Sequence, residues 1–119
     1  MRPFARGRTV RHKPGTMNKL EARYADALTA RLLAGEIVAY WFERFTFKLA
    51  DDTRYTPDFM VQLPDGTLEA HETKGFMEED AKVKIKVFAE AFPFRCVVVR
   101  AKAKRDGGGW DFTNYPKCP

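Results

Sequence analysis

The segment Leu63-Pro64-Asp65-Gly66-Thr67 constrains the fold strongly, because it places turn residues in a fixed order between two apolar stretches. Proline sets φ for the first turn position, and glycine can adopt the left-handed conformation at the third. This order is typical of a three-residue hairpin loop, Pro64 to Gly66, with a bulge at Gly66. We therefore predict that Leu63 faces Thr67 and that the flanking residues form two antiparallel strands.

The predicted register brings three ionisable side chains together. Counting outward from the loop pairs Asp58 with Glu72, and directly opposed residues of an antiparallel pair point to the same face of a sheet. Lys74 follows Glu72 by two residues, so strand alternation places it on that face as well. We expect the three side chains to form one patch.

Two carboxylates held in such a patch need a compensating charge. At about 4 Å they would repel by roughly 4 kcal/mol at an effective dielectric near 20. A divalent cation with Lys74 beside it would offset this repulsion, and carboxylate oxygens suit Mg²⁺ or Mn²⁺, which also accept phosphate oxygens. The pattern predicts a site for Mg²⁺ (or Mn²⁺); the alternative is an Asp-Glu-Lys salt-bridge cluster with a purely structural role.

The rest of the chain supplies two helices and further strands. Apolar spacing predicts one helix over residues 18–34 and a second over 77–92, which Pro93 ends. Residues 36–49 are rich in aromatic and β-branched residues and predict one long strand or two pieces, and 94–101 predict a final strand. This order indicates an α/β (α+β) fold: a helix, a three-strand antiparallel meander, a helix and a strand, with a mixed sheet flanked by helices.

Glu21, in the first predicted helix, has two interpretations. Asn18 followed three residues later by Glu21 is typical of a capping box. Glu21 could instead project toward the hairpin as an additional acidic ligand, and the two roles are compatible. His71, one residue from Glu72, points to the opposite face of its strand, so we expect a structural or partly exposed histidine there; the alternative is a general base.

All of the net charge of +5 lies in residues 1–15, which contain no acidic residue. The rest of the chain carries 16 basic and 16 acidic groups. Such an arm gains affinity for nucleic acid by counterion release; the alternative is a solubilising tail. Lysines of the second helix either contact phosphate or form a solvated face. The candidate nucleic-acid-binding residues are Arg2, Arg6, Arg8, Arg11, Lys13, Lys82, Lys84 and Lys86.

Composition and length limit the class of protein. A chain of 119 residues predicts one domain over residues 16–106, preceded by the basic arm (1–15) and followed by a glycine-rich break and tail (107–119), which could fold back by Trp110 and Phe112. No apolar run is long enough to span a membrane, so we expect a cytoplasmic protein with no membrane partner. Cys96 and Cys118 lack the spacing of a zinc or redox site, and Cys96 is expected to be buried and unreactive.

The order of elements and the motif resemble the PD-(D/E)xK nuclease superfamily, whose core is the restriction-endonuclease-like fold. The segment Tyr55-Thr56-Pro57-Asp58-Phe59, followed by Glu72-Thr73-Lys74-Gly75-Phe76 and an acidic helix start, is similar to the phage endonuclease I family of Holliday junction resolving enzymes and to related small phage nucleases. The similarity is most specific over residues 52–80 and extends by element order over residues 18–101.

The resemblance implies a site and an activity. By it, Asp58 and Glu72 bind the metal, Thr73 offers its backbone carbonyl, Lys74 orients or helps to deprotonate the attacking water, and Glu21 matches the acidic residue of the first helix. The implied protein is a Mg²⁺-dependent DNA endonuclease acting in a bacterial or phage-infected cell. Branched or four-way junction DNA is the preferred candidate substrate, although the resemblance carries nuclease chemistry better than junction specificity. Two opposed cuts in a four-way junction would call for two sites and hence a homodimer. The alternative is a non-catalytic nucleic-acid-binding protein on a nuclease-like fold.

Overall fold

Two helices and two β-sheets make up the α+β fold of the computed structural model, which describes residues 15–75 and 79–115. The elements are α1 (Lys19–Leu33), β1 (Ala39–Phe42), β2 (Phe47–Ala50), β3 (Thr53–Tyr55), β4 (Phe59–Gln62), β5 (Leu68–Thr73), α2 (Glu79–Ala91), β6 (Arg95–Ala101), a short 3-10 helix (Lys104–Asp106) and β7 (Trp110–Tyr115). Within these residues, no helix combines the length and apolar character needed to cross a membrane.

The main sheet has five strands in the order β1-β4-β5-β6-β7. All neighbours are antiparallel except β5 and β6, which are parallel and are connected through α2. The predicted meander exists as β1, β4 and β5, but these strands are not consecutive in the chain. Between β1 and β4 the chain forms a separate two-stranded sheet from β2 and β3, which we call the β2–β3 ribbon.

The hairpin that joins β4 to β5 has the predicted loop. The Leu63 N–H donates to the Thr67 carbonyl at 2.8 Å, and the Gly66 N–H donates to the Leu63 carbonyl at 2.9 Å. Gly66 has a φ of 91°, in the left-handed region that favours glycine. Extending the β4–β5 register by one pair places Asp58 opposite Glu72. The predicted loop and pairing are therefore confirmed.

The first helix begins at a capping box. The Asn18 side chain accepts from the Glu21 N–H at 2.8 Å, and the Glu21 carboxylate accepts from the Asn18 N–H at 2.9 Å, so two otherwise unpaired donors are satisfied. The helix buries Glu21, Tyr24, Ala25 and Leu28. This buried face fixes the rotation of α1 and turns Glu21 toward the sheet.

Hydrophobic clusters cover both faces of the main sheet, because strand residues alternate between them. The α1 side contains Tyr24, Ala25, Leu28, Ile37, Phe59, Val61, Val97 and Val99. The α2 side contains Tyr55, Met60, Ala70, Ile85, Phe88, Ala89, Cys96 and Val98. Cys96 is fully buried and free, and burial raises the pKa of its thiol to about 12, as expected for an unreactive core cysteine.

The C-terminal segment extends the sheet. After the glycine turn at residues 107–109, β7 pairs with β6 from Trp110 opposite Ala101 to Tyr115 opposite Cys96. The Trp110 ring lies against Tyr24 of α1, with ring centroids 5.1 Å apart. The predicted fold-back of this segment therefore takes the form of a sheet strand, and the residues predicted as a tail contribute an edge of the sheet up to residue 115. Cys118 lies outside the described residues.

We predict that Gly66→Ala lowers the free energy of unfolding by about 1–2 kcal/mol, because alanine pays the cost of the left-handed backbone. A Cβ at this position would meet no atom within 4 Å, so the loss comes from the backbone alone. Gly75→Ala is the matched control, since a Cβ there is equally unobstructed and φ is not in the left-handed region. Urea denaturation of both variants measures the difference, and equal stabilities would contradict the assigned turn.

Candidate functional site

The candidate site lies at one end of the main sheet, where β1 ends, β4 begins and β5 ends. Asp58 directly precedes β4 and Glu43 directly follows β1. The Glu43 N–H donates to the Asp58 carbonyl at 2.9 Å, which continues the β1–β4 pairing by one step. Glu21 comes from the first turn of α1 on the adjacent face. Three elements thus each deliver one acidic residue to the same end of the sheet.

The carboxylates of Glu21, Glu43 and Asp58 converge. One oxygen from each lies within 4.8 Å of those from the other two, with Glu21 buried and the others half-buried. Three carboxylates at this separation repel one another, and hard oxygen ligands suit Mg²⁺ or Mn²⁺. The donor set therefore fits a divalent cation.

Asp58 is held by the end of β5. Its Oδ2 atom accepts from both the N–H and the hydroxyl of Thr73, each at 2.9 Å. Burial raises the pKa of Asp58 from its ordinary value of 3.8 to about 7, helped by the neighbouring Glu72 and Glu21 carboxylates and opposed by the Thr73 hydrogen bonds. Burial and the adjacent carboxylates therefore favour the protonated form of Asp58 unless a positive charge is brought to the site.

Glu72 is fixed by three contacts. Its Oε1 accepts from the Tyr55 hydroxyl at 2.6 Å and from the Asp58 N–H at 3.3 Å, and its Oε2 lies 3.4 Å from Lys74 Nζ. Burial raises the pKa of Glu72, while the Tyr55 hydrogen bond and the Lys74 charge oppose that shift. Burial and the Glu72 charge raise the pKa of Tyr55, so its hydroxyl remains a donor. Glu72 and Lys74 form the pair that strand alternation predicts.

The site differs from the predicted single patch in the position of the Asp58 carboxylate. Although Asp58 is opposite Glu72 in register, it lies in a bend before β4, and its carboxylate contacts Thr73 and groups with Glu21 and Glu43. The Glu72–Lys74 pair lies outside this group of three and is linked to it through the Asp58 N–H. The Glu21 carboxylate both caps the start of α1 and lies in the group with the Asp58 carboxylate, as the two interpretations of this residue proposed.

Glu43 is the member of the site that sequence reasoning missed. Of the two predictions for residues 36–49, one long strand or two pieces, the structure has two pieces, β1 and β2. The first piece ends at Phe42, and Glu43 directly after it has a φ of 47°. Glutamate rarely adopts this conformation, so its sequence gives no reason to expect it. The available signal was a single acidic residue within an aromatic stretch. The Glu43 Oε1 atom also accepts from the Gly15 N–H at 2.9 Å.

Comparison with protein-family models, curated proteins and solved structures found no match. The resemblance to the nuclease superfamily therefore remains an expectation carried by the motif. Function has to be argued from the geometry of the site, because a fold alone does not determine chemistry.

The predicted nucleic-acid-binding residues are only partly described. On α2, Lys84 and Lys86 are exposed and Lys82 is half-buried. The Lys84 ammonium donates to the Arg54 carbonyl of β3 at 3.4 Å, which brings α2 to the β2–β3 ribbon. The five basic arm residues lie outside the described residues. Gly15, where the predicted arm ends, is bonded to Glu43 of the site.

His71 has the structural role that its position predicts. It is 1% exposed and lies among the residues on the α1 side of the sheet, opposite to Glu72. Its Nδ1 lies 2.6 Å from the Tyr24 hydroxyl and its Nε2 lies 3.0 Å from Glu69 Oε1. Both ring nitrogens are thus engaged within the core.

We predict that the metal-free protein loses stability as the pH rises from about 4 to about 7. The folded-state pKa of Asp58 is above its unfolded value, so in this window the folded state binds more protons, and the unfolding free energy falls with pH. Burial of Glu72 acts in the same direction. Asp58→Asn should flatten the profile and be more stable than wild type at pH 8, as measured by urea denaturation in EDTA.

The control for this prediction is Asp26→Asn, which changes an exposed carboxylate of α1. The Asp26→Asn protein should keep the wild-type pH profile. An unchanged profile in Asp58→Asn would contradict the assigned burial of this group.

Proposed function

We propose that this chain is a metal-dependent endonuclease that hydrolyses DNA phosphodiester bonds, with branched or four-way junction DNA as the preferred substrate. The observation that carries the proposal is the position of Asp58. Its carboxylate lies within 4.8 Å of carboxylate oxygens from Glu21 and Glu43, and its N–H is bonded to the Glu72–Lys74 pair. A metal-compatible acidic group beside an anchored ammonium is suited to phosphoryl chemistry.

The three carboxylates of Glu21, Glu43 and Asp58 are the residues that would hold Mg²⁺ or Mn²⁺. A bound divalent ion would supply charge neutralisation at the phosphate and a more acidic water. Thr73 supports this arrangement by directing its N–H and hydroxyl at Asp58, which fixes the orientation of that carboxylate. The proposal assigns Thr73 to this positioning role and retains its backbone carbonyl as a candidate ligand.

Lys74 is suited to act on the water and on the phosphate. Its side chain is 29% exposed and its ammonium lies 3.4 Å from Glu72 Oε2, so the ammonium is anchored on one side and can donate further hydrogen bonds. We assign it to orienting the attacking water and stabilising negative charge in the transition state, because an ammonium held by a carboxylate is a donor. Glu72, fixed by Tyr55 and the Asp58 N–H, positions Lys74 and is the remaining candidate ligand.

We predict Mg²⁺- or Mn²⁺-dependent cleavage that is lost in folded Asp58→Ala, Glu72→Ala and Lys74→Ala proteins. Removal of a group that stabilises developing charge typically costs roughly 10²–10³-fold in rate, and we expect losses at least that large. The measurement is cleavage of labelled four-way junction, flap, duplex and single-stranded DNA and of an RNA duplex, with and without metal. Glu90→Ala, an exposed acid of α2, is the control.

The outcomes separate the proposed nuclease from its alternatives. Tight, salt-sensitive DNA binding without cleavage under any divalent metal would favour a non-catalytic nucleic-acid-binding protein. Absence of a Mg²⁺-dependent increase in melting temperature would favour a salt-bridge cluster with a structural role. Full activity in Glu72→Ala would contradict the assigned mechanism.

We predict that deletion of residues 1–13 lowers DNA affinity and flattens its salt dependence. The deleted residues carry five basic groups and no acidic group. Each phosphate contact contributes about 0.9 to the slope of log K against log salt, so the magnitude of the slope should fall by up to about 4.5. Fluorescence anisotropy in EDTA measures both quantities. The deletion retains Gly15 and its bond to Glu43, and unchanged binding would identify the arm as a solubilising tail.

A further inference from the structure

The β2–β3 ribbon (Phe47–Ala50 with Thr53–Tyr55) is attached to the candidate site at both ends. The ribbon begins four residues after Glu43 and ends three residues before Asp58. The Glu43 N–H and the Asp58 carbonyl close its base with a 2.9 Å hydrogen bond. The orientation of the ribbon is therefore fixed relative to the acidic group.

The ribbon has one apolar face and one polar face. On the apolar face, the Phe47 and Tyr55 rings contact Phe88 of α2, with centroids 4.8 and 5.1 Å apart. Alternation leaves the other side chains pointing away from α2. The exposed polar side chains of the ribbon strands, and of the residues that connect these strands to Glu43 and Asp58, are Arg44, Thr46, Lys48, Arg54 and Thr56. We call them the ribbon polar face.

The ribbon polar face carries like charges that oppose each other. Lys48 pairs directly with Arg54 in the register, and such a pair destabilises a sheet unless an anion lies between the two cations. The next pair towards the site is Thr46 with Thr56, whose hydroxyls lie 2.8 Å apart. Lysine, arginine and threonine side chains are common donors to phosphate oxygens.

Lys84 adds positive charge beside this face, whereas the exposed acids Asp51 and Asp52 at the ribbon turn reduce it. Lys84 of α2 donates to the Arg54 carbonyl at 3.4 Å and so adds a cation beside the ribbon. Asp51, at the ribbon turn, lies 3.3 Å from Lys48, with exposed fractions of 97% and 61% for the two side chains. A pair as exposed as this contributes little, so Lys48 can exchange its partner for a phosphate.

Resting on the proposed function, we propose that the ribbon polar face binds the phosphate backbone of a DNA duplex arm next to the cleavage site. Lys48 is five residues from Glu43 and Arg54 is four residues from Asp58, so an extended chain sets an upper limit of roughly 13–17 Å on these two distances. At about 3.4 Å per phosphate along one strand, this limit corresponds to roughly four or five nucleotides. The ribbon therefore positions the duplex and carries no sequence readout.

The test compares two double variants that lose the same charge. Lys48→Gln/Arg54→Gln changes the ribbon, and Arg31→Gln/Arg95→Gln changes two arginines at the opposite end of α1 and β6. Binding to a labelled DNA duplex and to a four-way junction is measured in EDTA between about 50 and 200 mM salt. Phosphate ethylation interference on the same DNA locates the contacts.

We expect the ribbon variant to lose roughly tenfold in affinity at 50 mM salt and about 2 in salt slope, as two lost phosphate contacts require. Interference within roughly five nucleotides of the cut should disappear in the ribbon variant alone. Equal losses in both variants, or none in the ribbon variant, would overturn the inference. A Mg²⁺-dependent increase in melting temperature equal to that of wild type shows that the ribbon variant is folded.

The same experiment separates this inference from the proposed function. If the wild-type protein cleaves DNA and the ribbon variant binds DNA like wild type, the proposed ribbon surface is contradicted and the proposed nuclease function is retained. Wild-type protein that neither binds nor cleaves any DNA of the panel overturns both. Equal loss of binding to an RNA duplex of the same sequence would overturn the assignment to DNA.

Discussion

Asp58 uses all of its polar groups to join three strands at one point. Its N–H donates to Glu72 of β5, its carbonyl accepts from Glu43 after β1, and its carboxylate accepts from Thr73. The positions of Glu43, Glu72 and the Asp58 carboxylate thus depend on the same short bend before β4, while the capping box of α1 places Glu21. Without this bend, strand alternation would direct the Asp58 side chain onto a sheet face and away from the end of the sheet. The site is a consequence of how β4 begins.

The interactions that hold Asp58 are in conflict with its charge. Thr73 favours the carboxylate form, but burial and the adjacent Glu72 and Glu21 carboxylates outweigh it and raise the pKa of Asp58 to about 7. Such clustering of buried acids costs stability, which hydrophobic clusters on both faces of the sheet offset. Lys74 relieves the conflict at Glu72, whereas the group containing Asp58 has to be relieved by a proton or by a cation.

The parts of the fold that the sequence predicted are those specified by local chemistry. The turn at Pro64 to Gly66 fixed the β4–β5 register, and the capping box fixed the start of α1. The remaining features depend on contacts between distant residues. Glu43 adopts a positive φ that its side chain does not favour and is held there by Asp58. Three glycines precede β7. They indicate a break in the chain, but they do not indicate that the segment after it pairs with β6 as a strand.

Glu43 connects the acidic group to the two basic parts of the chain. Its carboxylate accepts from Gly15, next to the basic arm, and its backbone turns the chain into the β2–β3 ribbon. On the proposed function, an acidic centre beside the cations of the ribbon polar face would attract DNA through that face while excluding phosphate from the centre until a cation is bound. Removing the Glu43 side chain would disturb both the acidic group and the hydrogen bond to Gly15. Glu43→Gln separates them, because it removes the charge and keeps an oxygen for the Gly15 N–H.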